Sequence, residues 1–296
     1  MPRFGQVITA MVTPFHKDGS LNLDGAKRLA RWLQDNGNDG LVIAGTTGEA
    51  PVLTDDERLS LFKAVVEAVT IPVIAGTGTN DTAHSIHMTK EASKLGVAGI
   101  LAVTPYYNRP SQAGIDAHMR AVCAATTLPV VIYDIPVRTG RKINTPTLAK
   151  LANEVKNVAG VKDAAGNPAE SARLMTMVPK SFELISGDDG LTLPLMAVGC
   201  TAVIGVATHW SGVDHQEMFK KWNAGDTAGA RAVNARLVES FAFETGDDNP
   251  NPLPTKAMMN HLGLDVGDAR LPMGPPPAGL AERAAQVMKN LVAARG

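Results

Sequence analysis

Cysteine is nearly absent from this chain: Cys123 and Cys200 are the only two. One falls in a helical pattern and the other in an apolar one, which excludes a disulfide framework and suits buried, reduced thiols that pack as small hydrophobes. An excess of charge is missing too. With 28 basic and 29 acidic side chains the net charge is -1, which argues against nucleic acid or an anionic membrane as the main partner. No apolar run approaches the roughly 20 residues a bilayer-spanning helix needs. Met1 is followed by Pro2, Arg3 and a short strand-like run rather than by a long apolar core with a cleavage site, so a cytoplasmic location is expected. Hairpin signals and low-complexity segments are also lacking.

What is present is an alternation. Eight short apolar runs, 7–12, 41–44, 72–75, 99–103, 129–135, 158–162, 182–186 and 202–207, are separated by longer amphipathic segments. Near-continuous apolar strands without hairpins read as parallel strands covered by helices. Helix starts are marked by Thr54 with Glu57 three residues on, by Asn80-Asp81, and by Thr145-Pro146 with proline in the first turn. Eight such pairs close into a (β/α)8 barrel of roughly 250 residues, whereas an open doubly wound sheet usually stops at about six strands. A barrel needs one helix after its last strand, and the sequence offers helical stretches over 214–222, 226–244, 254–262 and 278–294. We therefore expect a barrel domain over 1–224 and a C-terminal helical region over 225–296, with the Pro- and Gly-rich stretch 271–279 as its connection.

In this architecture the chemistry sits at the C-terminal strand ends. Gly45-Thr46-Thr47-Gly48-Glu49 follows the second strand, Tyr106-Tyr107-Asn108-Arg109-Pro110 the fourth, Tyr133-Asp134-Ile135-Pro136 with Arg138-Thr139-Gly140 the fifth, and Lys162-Asp163 the sixth. Lys162 closes an apolar strand, and two uses fit that place. Desolvation in a barrel mouth would lower its pKa and free the amine to attack a ketone; a strand-edge lysine can also snorkel to solvent. Tyr133 ends the neighbouring strand on the same face and could shuttle protons, with Thr47 and Tyr107 as hydroxyl partners in a relay; a packed ring is the commoner use of a tyrosine. The backbone of 45–48 could form an anion nest, and Arg138 could grip a second carboxylate, although a loop arginine is usually a solvated charge. Gly76-Thr77-Gly78 lacks the rest of a dinucleotide fingerprint, and His84 with His87 lacks further metal ligands. Asp188-Asp189 reads as a helix cap sooner than a divalent-ion site. No metal is expected.

Taken in order, the segments 45–49, 104–112, Tyr133-x-x-Pro136, 138–140, Gly160-Val161-Lys162, 186–189, 251–256 and 271–273 resemble the dihydrodipicolinate synthases of the pyruvate-dependent class I aldolase superfamily. The resemblance implies that Lys162 forms an imine with pyruvate and Tyr133 transfers protons. Thr46 and Thr47 supply carboxylate contacts and the relay hydroxyl, while Gly187 and Ile204 flank the substrate. Tyr107 joins the relay from a neighbouring subunit of a homotetramer built as a dimer of dimers. The only covalent carrier is the pyruvate imine, with no cofactor. Arg138, in its Tyr-x-x-Pro-x-Arg-Thr-Gly context, implies aspartate semialdehyde as second substrate, in lysine and diaminopimelate biosynthesis. The alternatives are pyruvate-forming cleavage of a sialic acid, keto-deoxy sugar acid or hydroxy-oxoglutarate, and a keto-acid-binding barrel without catalysis. Asp134 and Asp163-Ala164-Ala165 depart from the family pattern and are expected to alter polarity around the imine. Ala50, Arg58 and His84 stand where lysine-sensitive members carry serine, histidine and glutamate, and Asn80 and Tyr106 match, which implies weak or absent feedback inhibition by lysine.

Overall fold

The computed structural model describes residues 2–296. Eight parallel strands, β1 (Val7–Ala10), β2 (Gly40–Ile43), β3 (Val73–Gly76), β4 (Gly99–Val103), β5 (Val130–Asp134), β6 (Val158–Asp163), β7 (Glu183–Ser186) and β8 (Cys200–Gly205), close into a barrel in sequence order. β1 completes the ring by pairing with β8 through Ile8 and Ile204. The expected (β/α)8 architecture is present, with strand ends shifted by a few residues. The largest shifts are in β1, which stops at Ala10, and β8, which ends at Gly205.

The apolar strands follow from double-sided burial. Alternate residues point inward, where Ile8, Val42, Ile74, Leu101, Val131 and Ile185 fill the barrel. Their neighbours Val7, Leu41, Ile43, Ile100, Val130 and Ile132 pack outward beneath the helices. Because the side-chain period is two, Tyr133 falls on the inner face with Val131, and Asp134 on the outer.

The helix signals in the sequence have the proposed local cause. Thr54 and Glu57 form a reciprocal capping box at the start of Asp55–Val66, Asp81 caps Thr82–Ala92, and Pro146 lies in the first turn of Thr145–Glu154. Cys123 and Cys200 are both buried free thiols. After β8 the chain forms Thr208–Asn223, which begins six residues earlier than expected, then Thr227–Phe243, Leu253–His261 and Leu280–Ala294. The stretch 271–279 joins the last two of these helices, so its role differs from the expected connection between barrel and appendage. The segment 251–270 turns back over the barrel mouth, where it meets the loop after β2.

Candidate active site

Barrel closure sets Lys162 of β6 directly beside Tyr133 of β5 in the strand register. The lysine is only 5% exposed, and its Nζ lies 4.2 Å from the centroid of the Tyr133 ring. Burial draws its pKa down to about 8. Asp189 and Glu244 pull it the other way, and Arg138 adds to the depression. Near neutrality a usable fraction of the amine is therefore free of its proton. Burial pushes the Tyr133 phenol up to about 12, while Arg138 and a hydrogen bond with the Thr46 side chain work against the shift. A phenol in this state keeps its proton until a reacting oxygen takes it.

The loop after β2 places the two threonines differently. Thr46 meets Tyr133 and lines a cavity of about 450 Å³ whose wall includes Tyr106, Tyr107, Tyr133 and Arg138. Thr47 is buried and its Oγ1 accepts from Asn251 Nδ2 at 2.9 Å. The relay hydroxyl next to Tyr133 is thus Thr46, and the relay position assigned to Thr47 is corrected. Ala44 and Glu49, with φ of 52° and 57°, bracket the turn in the left-handed region, and within it Thr46 faces the cavity while Thr47 is held by Asn251. The backbone N–H groups of Thr46, Thr47 and Gly48 donate to no group among the described residues, as an anion nest requires.

Arg138 is carried on the short helix Pro136–Thr139 at the cavity rim. Tyr107 lies on an exposed loop tip, 88% accessible and with φ of 71°, a strained conformation for a tyrosine. Within one chain it lines the same cavity as Tyr133 and Arg138. Ile204 points into the barrel interior. Gly187 lies against the lysine: a Cβ there would stand 2.9 Å from Lys162 Cγ and 3.1 Å from Cε. Its lack of a side chain makes room for the Lys162 stem.

The two acidic departures do not act on the imine region as expected. Asp134 binds Lys142 Nζ at 3.0 Å and accepts from Ile143 N. Asp163 accepts from Ser171 Oγ at 2.5 Å and from Ala165 N. Each follows an inward residue and so projects outward beneath the helices, where it anchors a loop.

Three groups gather behind Lys162: Asp189, which the sequence suggested as a helix cap, and Glu244 and His215, which it did not single out. Asp189 Oδ2 accepts from Val206 N at 2.7 Å, and Glu244 Oε2 accepts from Ala207 N at 3.0 Å. His215 Nε2 stands 3.4 Å from Asp189 Oδ1. Burial and the adjacent Asp189 push the Glu244 carboxyl well above the usual range. Burial also opposes ionisation of Asp189, but the His215 contact and the Val206 N–H outweigh it and hold that carboxyl low. The pair is thus held apart in its tendencies, Glu244 toward the neutral form and Asp189 toward the charged form, and the Asp189 charge works against the depression of Lys162. Glu244 could be found only by its three-dimensional position, since it lies 82 residues from the lysine. Among the described residues no group of three or more His, Cys, Asp and Glu side chains is arranged to hold a metal ion, and no helix is long and apolar enough to cross a membrane.

The sequence matches the Dihydrodipicolinate synthetase family over residues 3–293. It is 49% identical over 275 residues to 4-hydroxy-tetrahydrodipicolinate synthase of Moorella thermoacetica, covering 92% of each chain. Among solved structures, dihydrodipicolinate synthase from Cyanidioschyzon merolae with lysine bound superimposes with a TM-score of 0.95 at 39% identity, over 99% of both chains. A monomeric dihydrodipicolinate synthase variant superimposes with a TM-score of 0.93 at 34% identity, over 98% of this chain and 97% of that one.

Proposed function

This chain belongs to the dihydrodipicolinate synthetase family, and from that premise we propose how its residues condense pyruvate with L-aspartate 4-semialdehyde to give 4-hydroxy-tetrahydrodipicolinate in lysine and diaminopimelate biosynthesis. The observation that carries the reading is the placement of Lys162, a buried strand-end amine brought to about 8 and stacked against a proton-holding phenol. Lys162 attacks the ketone carbon of pyruvate as the neutral amine. Tyr133, beside the Thr46 side chain, passes a proton to the departing oxygen; one water leaves and a cationic imine remains. The Tyr133 phenolate takes back a proton from the methyl carbon to give the enamine, whose carbon attacks the aldehyde as the phenol protonates the aldehyde oxygen. The amino group of the second substrate then displaces Lys162 from the imine carbon, closing the ring and returning the free lysine.

The pyruvate carboxylate takes the unpaired N–H groups of Thr46 and Thr47, and Arg138 grips the carboxylate of the semialdehyde through its planar fork. Tyr107, too exposed to serve its own site, enters the relay of a second copy of the chain in a dimer of dimers. The charge balance near zero and the absence of any membrane-spanning helix among the described residues fit small-molecule partners and a cytoplasmic enzyme. No further cofactor takes part.

Intact-mass measurement after borohydride reduction with pyruvate, in wild type and Lys162→Ala, tests the imine, and an assay with aspartate semialdehyde tests the second substrate. A pyruvate adduct in the wild type alone, with semialdehyde-dependent turnover, is expected. An adduct without turnover would refute the second substrate, and no adduct would refute the imine.

A further inference from the structure

We propose that Asn251, from the C-terminal helical region, is a positioning residue for the substrate carboxylate: by donating to Thr47 it frees the threonine's own proton for the anion. The proposal rests on the assignment of the loop after β2 as the carboxylate site. Asn251 is buried just before the helix Leu253–His261, and its Nδ2 stands 2.9 Å from Thr47 Oγ1, across 204 residues of sequence. An amide nitrogen only donates, so Thr47 Oγ1 is the acceptor. The hydroxyl has a single proton, and no group among the described residues accepts it. That proton and the free N–H groups of Thr46 and Thr47 belong to one turn and together form a three-donor set for one carboxylate.

A second tie holds the end of the same turn. Glu49 accepts from Arg270 N at 2.8 Å and pairs with Lys256 Nζ, also at 2.8 Å. Lys256 donates in addition to the Asp268 carbonyl at 2.9 Å. Lys256 and Arg270 both lie over the ring of Phe15, at 4.2 and 4.3 Å from its centroid. The turn is therefore fastened at its middle by Asn251 and at its end by Lys256 and Arg270, all from the segment 251–270. The C-terminal helices complete the substrate site, and a rigid second layer of this kind is what keeps a donor set aligned.

The test uses the full-length chain and steady-state kinetics in pyruvate. Asn251→Ala removes the donor, and KM for pyruvate is expected to rise about tenfold, the worth of one hydrogen bond to a charged group, with kcat within about threefold of wild type. In a Thr47→Val background the same substitution should change KM no further, because the group it orients is gone. Asn251→Asp would accept the Thr47 proton and place a negative charge beside the anion, so its KM should exceed that of Asn251→Ala. Partial misfolding lowers apparent kcat and leaves KM unchanged, which separates a structural effect from the proposed one. Equal KM values in wild type and Asn251→Ala, additivity with Thr47→Val, or an Asn251→Asp enzyme that binds pyruvate as well as Asn251→Ala would each overturn the proposal. Failure of wild type to form a pyruvate adduct would instead overturn the functional reading on which it rests.

Discussion

Replacing Gly187 by alanine adds one methyl group where the structure leaves no space for it. Carbon atoms in good contact lie about 3.5–4.0 Å apart, yet the new Cβ would stand 2.9 Å from Lys162 Cγ, 3.1 Å from Lys162 Cε and 3.1 Å from Ala164 Cβ. Gly187 is not in the left-handed region, so the backbone itself accepts alanine. The strain falls on the lysine, because Ala164 closes off the other side. Restoring normal contact moves the stem by roughly half an ångström to one ångström and carries Nζ away from its place over Tyr133. A displacement of that size costs on the order of a hundredfold in a positioned reaction, whereas overpacking costs about 1–3 kcal/mol of stability, little for a folded barrel. The expected result for Gly187→Ala is a drop of about a hundredfold in kcat/KM for pyruvate and a matching fall in the rate of borohydride-trapped adduct formation, with cooperative unfolding retained. Adduct formation within about threefold of wild type would show that the lysine stem is not confined, and the positional account of its reactivity would fail.

Lys162→Met should abolish the adduct and raise Tm. The folded pKa is about 8 against 10.5 for a free lysine, so below pH 8 the charged, buried amine opposes folding in full, by about 3 kcal/mol. The stability advantage of the methionine variant should then shrink as pH rises from 8 to 10.5, and an advantage independent of pH would contradict the assigned burial cost. Mixing Tyr107→Phe with Lys162→Ala, each inactive alone, should restore turnover after subunit exchange, because one kind of mixed site holds both an intact lysine and a donated tyrosine; no recovery would place Tyr107 in its own chain's chemistry or outside it. Free lysine should inhibit weakly or not at all. Arg58 is committed to the Gly76 carbonyl at 2.6 Å and His84 to Asp55 at 2.8 Å, so a cationic side chain entering that part of the cavity meets no free carboxylate from these residues. Strong inhibition of initial rate at sub-millimolar lysine would refute this.

The orientation of Asp134 and Asp163 could have been read from the sequence. Each directly follows a residue assigned to the barrel mouth, Tyr133 or Lys162, and strand alternation alone sends the next side chain to the opposite face. The chain also has only three tyrosines, and all of them, Tyr106, Tyr107 and Tyr133, stand at or beyond strand ends.

The sequence by itself determined the order of strands and helices, the helix caps, the strand ends on which Lys162 and Tyr133 stand and the loop that carries Arg138, because these depend on residue periodicity and on contacts a few residues apart. Tertiary structure alone decided that Thr46 lies by Tyr133 while Thr47 meets Asn251, that Gly187 clears space for the lysine, that Asp189 and Glu244 gather behind it, and that Asn251 reaches the loop after β2. Those relations depend on a closed barrel and a C-terminal segment that bring together residues more than 200 positions apart. A local pattern fixes which face a side chain leaves from; only the closed ring fixes what it meets there.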